Sequence, residues 1–420
     1  MNNQTASGPA HKTHLPNKAY DISKPHKPVT PFDSNDEINR LFALNEGIET
    51  IAVVNENVPI GLINRNYFME QFARPFARDL FGKRSCKTFM EPHPIIVDHE
   101  TLLEKLLTIV VNTGEGALKN GFIATENGKY HSIGTGFDLI SAMSDIEAEK
   151  TRQMLSSINY ASMIQQAHLA ESNRTIESIP DQGILWEPRD VVGGDAYFFR
   201  DTPQGFVGCT FDCTGHGVPG AFMTLIILSF LEQAFDGTDT SVPVGEVLTR
   251  MNKYVKRVLQ QRVVYSADDP SVGKRSNDGL DAALFLMPKD HSSVKYASAR
   301  LTLMVTDVDG NVTSYEGDRD GIGYQDTSED AVFKTYELSL PAGALLTIPS
   351  DGVIDQLGGP KHIAHGKKRL ERFLSENHLL TAKDITKQFK AHFDLWQGTQ
   401  RRRDDVSLLN IRNSGGQYGN

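Results

Sequence analysis

The stretch Phe211-Asp212-Cys213-Thr214-Gly215-His216-Gly217-Val218-Pro219-Gly220-Ala221-Phe222-Met223 decides how this chain is read. Upstream of it, Val207, Cys209 and Phe211 alternate, which places them on one face of a strand that ends at Asp212. Downstream, Pro219 suits the first turn of a helix, where its missing N–H has no partner to lose. The run Ala221–Phe235 continues that helix. Glycines between strand and helix permit backbone conformations that other residues resist, and let a ligand approach the chain closely. The segment therefore reads as a strand that delivers one carboxylate to a glycine-rich turn at the head of a helix.

Three more acidic motifs share that design. Gly193-Gly194-Asp195 precedes the aromatic run Tyr197-Phe198-Phe199. Ser350-Asp351-Gly352 follows Leu345–Ile348, which is too apolar for a surface loop. Asp404-Asp405 opens a last strand, Val406–Ile411. Taken singly, an Asp-Gly pair is usually a turn. Together, the four motifs point to a cluster of carboxylates, which repel unless protonated or neutralised by cations. Hard oxygen ligands suit Mg²⁺ or Mn²⁺ better than Zn²⁺, and no HExxH or paired CxxC pattern offers a zinc site. Further strand-like runs lie at Ile184–Trp186, Ala196–Phe199, Ala282–Met287, Leu301–Val305 and Val332–Leu340, with a hairpin signal at Asp309-Gly310. Helical runs lie at Val244–Val258 and Ala382–Phe393. Strands joined by hairpins, with helices grouped between them, predict an α+β domain with antiparallel sheets over residues 180–413.

Outward from this domain the chain changes character. Its 420 residues leave room for two or three domains. The net charge of −10 argues against a polyanion as main partner, so no nucleic acid is expected. Three cysteines fit a reducing cytoplasm rather than a disulfide scaffold. The most apolar stretch, Met223–Leu231, falls far short of the ~20 residues of a membrane span, and no secretory h-region is present. Residues 1–41 read as a disordered tail, with His11, His14 and His26 as solvated side chains. Residues 42–143 contain an approximate duplication. Ile51–Val54, a polar turn and Pro59–Ile63 form one strand pair. Gly121–Thr125, Glu126-Asn127-Gly128 and Tyr130–Thr135 form the other, and each pair is followed by a helical stretch. Residues 144–175 read as a linker helix capped by Ser144 and Glu147. Its stripe of Met154, Leu155, Ile158, Ala161, Met163 and Ile164 either packs on the next domain or pairs with a second copy. Residues 414–420 read as a flexible C-terminus.

The ordered set VVGGDAYFF, FDCTGHGVPGAFM, DGLDAALFLM, SDGVIDQLGG and RRDDVSLL, over residues 180–413, resembles the SpoIIE-like branch of the metal-dependent PPM serine/threonine phosphatases. The resemblance implies a β-sandwich of two antiparallel sheets flanked by helices, with two Mn²⁺ or Mg²⁺ ions at one end. By the same resemblance Asp212 bridges the ions, Asp195 ligates them directly or through water, Cys213 contributes a backbone carbonyl, and Asp351 and Asp404 bind the second ion. Asp405 is left to the start of the last strand or to a hydrogen bond behind the ligands. His216 is a candidate general acid or a structural residue of the turn, and lies farther from Asp212 than the corresponding histidine of eukaryotic relatives. Asp281 is expected near a third ion or as a strand cap. No phosphate-binding arginine is obvious; Arg189 and Arg401–Arg403 are the candidates. Cys209 and Cys213 read as core residues, not nucleophiles. The implied activity is hydrolysis of phosphoserine or phosphothreonine on a small STAS-domain protein in bacterial signalling.

The segments IAVVNENVPIGLINRNYF and GFIATENGKYHSIGTGFDL resemble a pair of CBS motifs, which often bind adenosine nucleotides. The second copy keeps Thr135 and Asp138 at the family's phosphate- and ribose-contacting positions, whereas the first has Asn64 and no matching Asp. Asp138 reads equally as a helix cap. Two alternatives stand beside the phosphoprotein phosphatase: a nucleotide sensor whose phosphatase domain only binds a partner, and a hydrolase of small phosphate esters.

Overall fold

The computed structural model describes residues 15–236, 242–261, 277–289 and 293–415, in two compact units, Met1–Met154 and Leu155–Asn420. The first unit contains α1 (Ala19–Ile22), α2 (Asn35–Leu44), β1 (Thr50–Asn55), β2 (Val58–Asn64), α3 (Arg65–Phe72), α4 (Ala77–Phe81), β3 (Ile95–Asp98), α5 (Leu103–Thr113), α6 (Glu115–Asn120), β4 (Phe122–Glu126) and β5 (Lys129–Gly134). Both expected hairpins form, β1–β2 and β4–β5. Their turns use paired positive-φ residues, Glu56-Asn57 and Asn127-Gly128, which match the right-handed twist of the strands.

The duplication goes deeper than the hairpins. β3 runs parallel to β4, and Val29 bridges parallel to Val53. Each copy is thus a parallel strand or bridge, a helix and a hairpin, followed by a further helix. Each has its own core: Ile38, Phe42, Val53, Ile63 and Phe68 in the first, Val97, Leu106, Val110, Phe122 and Ala124 in the second.

The tail expected over residues 1–41 is folded from residue 15 onward. Ala19, Val29 and Ile38 are buried, and a capping box of Ser34 and Glu37 starts α2. Three well-placed apolar residues anchor a stretch whose average composition is that of a coil. Residues 1–14, with His11 and His14, lie outside the described residues.

A single 42-residue helix, α7 (Gly136–Glu177), replaces the shorter linker helix. It begins eight residues before Ser144. Thr135 Oγ1 accepts from the Asp138 N–H (3.0 Å) and donates to the Asp138 carboxylate (2.6 Å). This earlier cap competes with the Ser144 signal and wins, since no breaker lies between the two.

The second unit continues with β6 (Gln182–Glu187), β7 (Asp195–Thr202), β8 (Gly205–Cys213), α8 (Gly217–Phe235), α9 (Val244–Val258), β9 (Leu280–Pro288), β10 (Ser293–Ala299), β11 (Leu303–Thr306), β12 (Val312–Tyr315), β13 (Tyr336–Ser339), β14 (Leu345–Pro349), α10 (Asp351–Asp355), β15 (Leu357–Gly358), β16 (Ile363–Ala364), α11 (Lys367–Glu376), α12 (Ala382–Gln397) and β17 (Val406–Arg412). Two five-stranded sheets form, β13-β10-β9-β8-β7 and β12-β11-β14-β17-β6, and every pair in them is antiparallel. Period-two burial builds the sandwich. In β17, Leu409 and Ile411 join the core shared with Phe199, Phe211 and Leu284 of the first sheet, while Val406 and Leu408 join Phe373, Phe389 and Phe393 of α11 and α12.

On the first sheet's outer side, α8 and α9 pack against each other and against its strands. Among the described residues α8 is the one helix long and apolar enough to cross a membrane, and here Ile227, Leu228 and Leu231 are buried in the domain core. The strand expected over Val332–Leu340 is confined to β13, Tyr336–Ser339.

Candidate metal centre and active site

Strand register assembles the site. Asp195, the first residue of β7, lies opposite Asp212, near the end of β8, and Asp212 lies opposite Asp281 of β9. Three carboxylates therefore stand side by side at one end of the first sheet. β14 of the second sheet delivers Ser350 and Asp351 to the start of α10, and Asp404 lies just ahead of β17. Asp351 and Asp404 both press their charge on Asp212. The four sequence-predicted carboxylates are thus brought together.

Asp195 is 1% exposed, and neither of its oxygens has a hydrogen-bond partner of normal geometry. The Ser350 and Ser407 hydroxyls lie close enough to favour its charged form. Ser350 Oγ also accepts from the Ser407 N–H at 3.0 Å. Burial, reinforced by the Asp405 charge, pushes the Asp195 carboxyl up to about 8. Burial also raises Asp212 well above the carboxylate range, helped by Asp195 and Asp351. Asp351 is raised by burial, against the opposing effect of its hydrogen bond with Asp212.

No three His, Cys, Asp or Glu side chains among the described residues converge as a finished ion cage. Asp195, Asp351 and Asp404 each press their charge on the Asp212 carboxyl, and crowding of this kind is relieved by a proton or by a cation. A buried carboxylate with two unpaired oxygens is costly by itself. Divalent cations fit this donor set, because their charge offsets that cost and all the donors are hard oxygens.

The loops are held by residues that are not themselves in this set. The Asp405 carboxylate accepts from the backbone N–H groups of Arg189 (2.6 Å), Gly194 (2.5 Å) and Asp195 (3.3 Å). This answers its open assignment: it fixes the loop that carries Asp195. At Gly194, a Cβ would sit 2.6 Å from both the Cys213 and Gly215 carbonyl oxygens. At Gly220, a Cβ would sit 2.2 Å from the Gly215 carbonyl oxygen and 2.8 Å from Gly194 Cα. The first turn of α8 can therefore rest on the Asp195 loop only because both positions are glycine. Gly215 and Gly217 supply the left-handed turn between them, with φ of 83° and 67°.

His216 caps the start of α8, and its Nδ1 lies 2.9 Å from Asp190 Oδ2. Asp190 was not singled out by sequence. Gln165 of α7 was also missed. It is buried, and its amide donates to the Gly193 carbonyl (2.9 Å) and the Thr224 hydroxyl of α8 (3.0 Å). A polar residue on the apolar stripe of a helix was the available signal for it. Asp281 is pushed up to about 6 by burial, and Arg300 lies 3.7 Å from its Oδ1.

Two of the arginine candidates are engaged, while Arg401 and Arg403 are exposed. Arg189 donates to the Arg403 carbonyl, while Arg402 bonds Glu187 and Gln397 and covers the Phe393 ring. Burial pushes the Cys209 and Cys213 thiols up, so neither is a ready nucleophile.

Thr135 and Asp138 cap α7 and also line a cavity of about 440 Å³ in the first unit, with Lys24, His26 and Thr50.

Residues 207–414 match the family model of stage II sporulation protein E (SpoIIE). No curated protein matches the chain. Among solved structures, the SiaA-PP2C domain of Pseudomonas aeruginosa is 28% identical, with a TM-score of 0.54, over 63% of this chain and 99% of that one. The PP2C phosphatase domain of SpoIIE from Bacillus subtilis, solved with a fragment of its regulatory domain, is 16% identical, with a TM-score of 0.42, over 55% and 62%. The RsbU and RsbW domains of a Mycobacterium tuberculosis protein are 16% identical, with a TM-score of 0.43, over 56% and 60%. The antiparallel sandwich, the carboxylates at its end and the matched residues 207–414 agree: this part of the chain is a SpoIIE-type domain, and the protein is a metal-dependent serine/threonine protein phosphatase of the PP2C type.

Proposed function

We infer that the enzyme removes phosphate from a serine or threonine of a small STAS-domain-like protein in bacterial signalling, in the cytoplasm, with Asp195, Asp212, Asp351, Asp404 and the Cys213 carbonyl as donors for two Mn²⁺ or Mg²⁺ ions. The observation that carries the site assignment is the buried Asp195 with both oxygens unpaired, in register with Asp212. When bound, the ions would acidify a water and offset charge on the phosphoryl oxygens. The chain's own part is positional. Asp405 and Gln165 fix the Gly193–Asp195 loop, and the two glycine contacts lock α8 against it. With His216 Nδ1 facing Asp190, its Nε2 is left to hold a proton for the leaving oxygen. Protonated cysteines leave no covalent route through sulfur. Three free, buried cysteines suit a reducing cytoplasm.

The first unit acts in this reading as a CBS-pair-like sensor. Lys24 and Thr135 line one cleft together with Glu49 and Asp138, offering the phosphate of an adenosine nucleotide a cation and a hydroxyl and its ribose a carboxylate. The deciding measurement for the catalyst is hydrolysis of a chromogenic phosphate ester with Mn²⁺, Mg²⁺ or chelator. Chelation or Asp212→Ala is expected to lower kcat by about 10²-fold or more. Activity that survives either treatment would sink the two-ion assignment.

A further inference from the structure

On the outer side of the first sheet, α8 and α9 enclose a groove of about 550 Å³ that the active site does not use. Its floor is Phe230 and Tyr254, whose ring centroids are 5.1 Å apart. Its rim is Arg250, Lys253 and Arg257, with Gln233 alongside. The three cations follow the spacing i, i+3, i+7, so they share one face of α9. The opposite face, Val247, Leu248, Met251 and Val255, is buried in the core.

Lys253 is paired with Asp330 at 3.2 Å, but Asp330 is itself exposed. Among the described residues Arg250 and Arg257 have no carboxylate partner, and Arg257 lies over the Tyr254 ring. A chain of net charge −10 thus concentrates three positive charges along roughly 10 Å of one helix face. The lining residues sit within helices, whose backbone N–H groups are already bonded and cannot cradle a compact phosphate, so the row offers two arginine forks and a lysine in line. It matches a linear array of carboxylates, and the aromatic floor takes their aliphatic stems.

Resting on the phosphoprotein phosphatase reading, we propose that this groove docks a carboxylate-rich segment of the substrate protein, away from the phosphorylated side chain. The start of α8 adjoins the Asp195 loop, and Phe230 is 13 residues further along the helix, Ala234 17 residues. At ~1.5 Å per residue the groove lies roughly 20–25 Å from the site. An extended chain covers that span in roughly 6–8 residues. Occupying both places turns the second contact into an intramolecular one, which lowers KM without touching the chemical step.

The test uses the full chain with Mn²⁺ and two phosphoserine peptides. One carries a run of glutamates about eight residues from the phosphoserine; in the other that run is serine and glycine. Wild type is expected to show a KM about 3- to 10-fold lower for the glutamate peptide at equal kcat, with the advantage falling as salt rises. Arg250→Glu with Arg257→Glu, and the milder Arg250→Gln with Arg257→Gln, should erase the difference and leave turnover of a chromogenic ester unchanged. Anisotropy of a labelled, unphosphorylated glutamate peptide reads docking independently of catalysis. No preference in wild type, or one that survives both double variants, overturns the proposal. So does an oligonucleotide that displaces the labelled peptide more strongly than unlabelled peptide does. Failure of wild type to hydrolyse the chromogenic ester counts against the phosphatase reading instead.

Discussion

His365 is fully buried among Phe389, Phe393 and Trp396, with its Nδ1 unpartnered and its Nε2 3.4 Å from His392 Nε2. Burial first, then His392 and the nearby Arg369 and Arg372, holds it down to about 4. The unfolded chain, with an ordinary imidazole near 6.5, takes the proton first as pH falls. Its contribution to stability is therefore complete above pH 6.5 and is lost progressively toward pH 4. Relative to His365→Phe, which removes this titration and keeps the packing aromatic, wild type should lose about 2–3 kcal/mol between pH 7 and pH 4.5. Urea unfolding of both proteins at the two pH values, with Mg²⁺ held constant, checks it; a constant gap would refute it. At the same scale, the four site aspartates were legible in the sequence because each ends or opens an apolar run beside small residues. Asp190 and Gln165 were not, since their roles depend on partners 26 and 28 residues away.

At the scale of elements, α7 is the connection that matters most. Gln165, Leu169, Ser172 and Asn173 lie on the side of its second half that meets the phosphatase domain: Gln165 bonds Gly193 and Thr224, Ser172 accepts from the Phe199 N–H, and Asn173 accepts from the Tyr197 hydroxyl. A shift of this helix would pull on the loop that carries Asp195. Gln165→Glu keeps the shape and removes the amide donor. It should cost about 1–3 kcal/mol of stability. It should also raise the Mn²⁺ concentration for half-maximal activity about 3- to 10-fold, with kcat at saturating metal near wild type. Metal titrations of the two proteins decide this, and an unchanged half-saturation point would assign Gln165 to packing alone. The helix itself was readable from its unbroken composition. Its start was misplaced because two capping boxes, at Thr135 and Ser144, compete in the same run.

For the whole molecule, the middle of α7 leaves Met154, Leu155, Tyr160 and Met163 exposed, apolar surface that we expect a second copy to cover. Light scattering should report a dimer for the full chain and a monomer for Leu155→Glu with Tyr160→Glu. AMP should change the activity of the wild type, and this response should be absent from Lys24→Glu, which reverses the one lysine charge in the cleft lined by Thr135 and Asp138. A monomeric wild type, or an AMP response that persists in Lys24→Glu, would refute the corresponding half of this prediction.

Local pattern in the sequence was enough for an α+β domain with antiparallel strands and hairpins, for the duplicated first unit and for the carboxylates, while the stacking of two sheets into a sandwich was implied only by the family resemblance. The locally read features depend on periodicity, turn chemistry and residue type, and all of these are properties of neighbours in the chain. Tertiary structure alone decided which side chains hold those carboxylates in place. The Asp405 carboxylate reaches back 211 residues to Gly194, and the glycine at 220 makes room for the one at 194. It also decided that residues 15–41 fold, because a few buried apolar contacts with distant strands outweigh a polar average composition. Such contacts depend on the register of strands and the packing of helices, which a one-dimensional pattern does not encode.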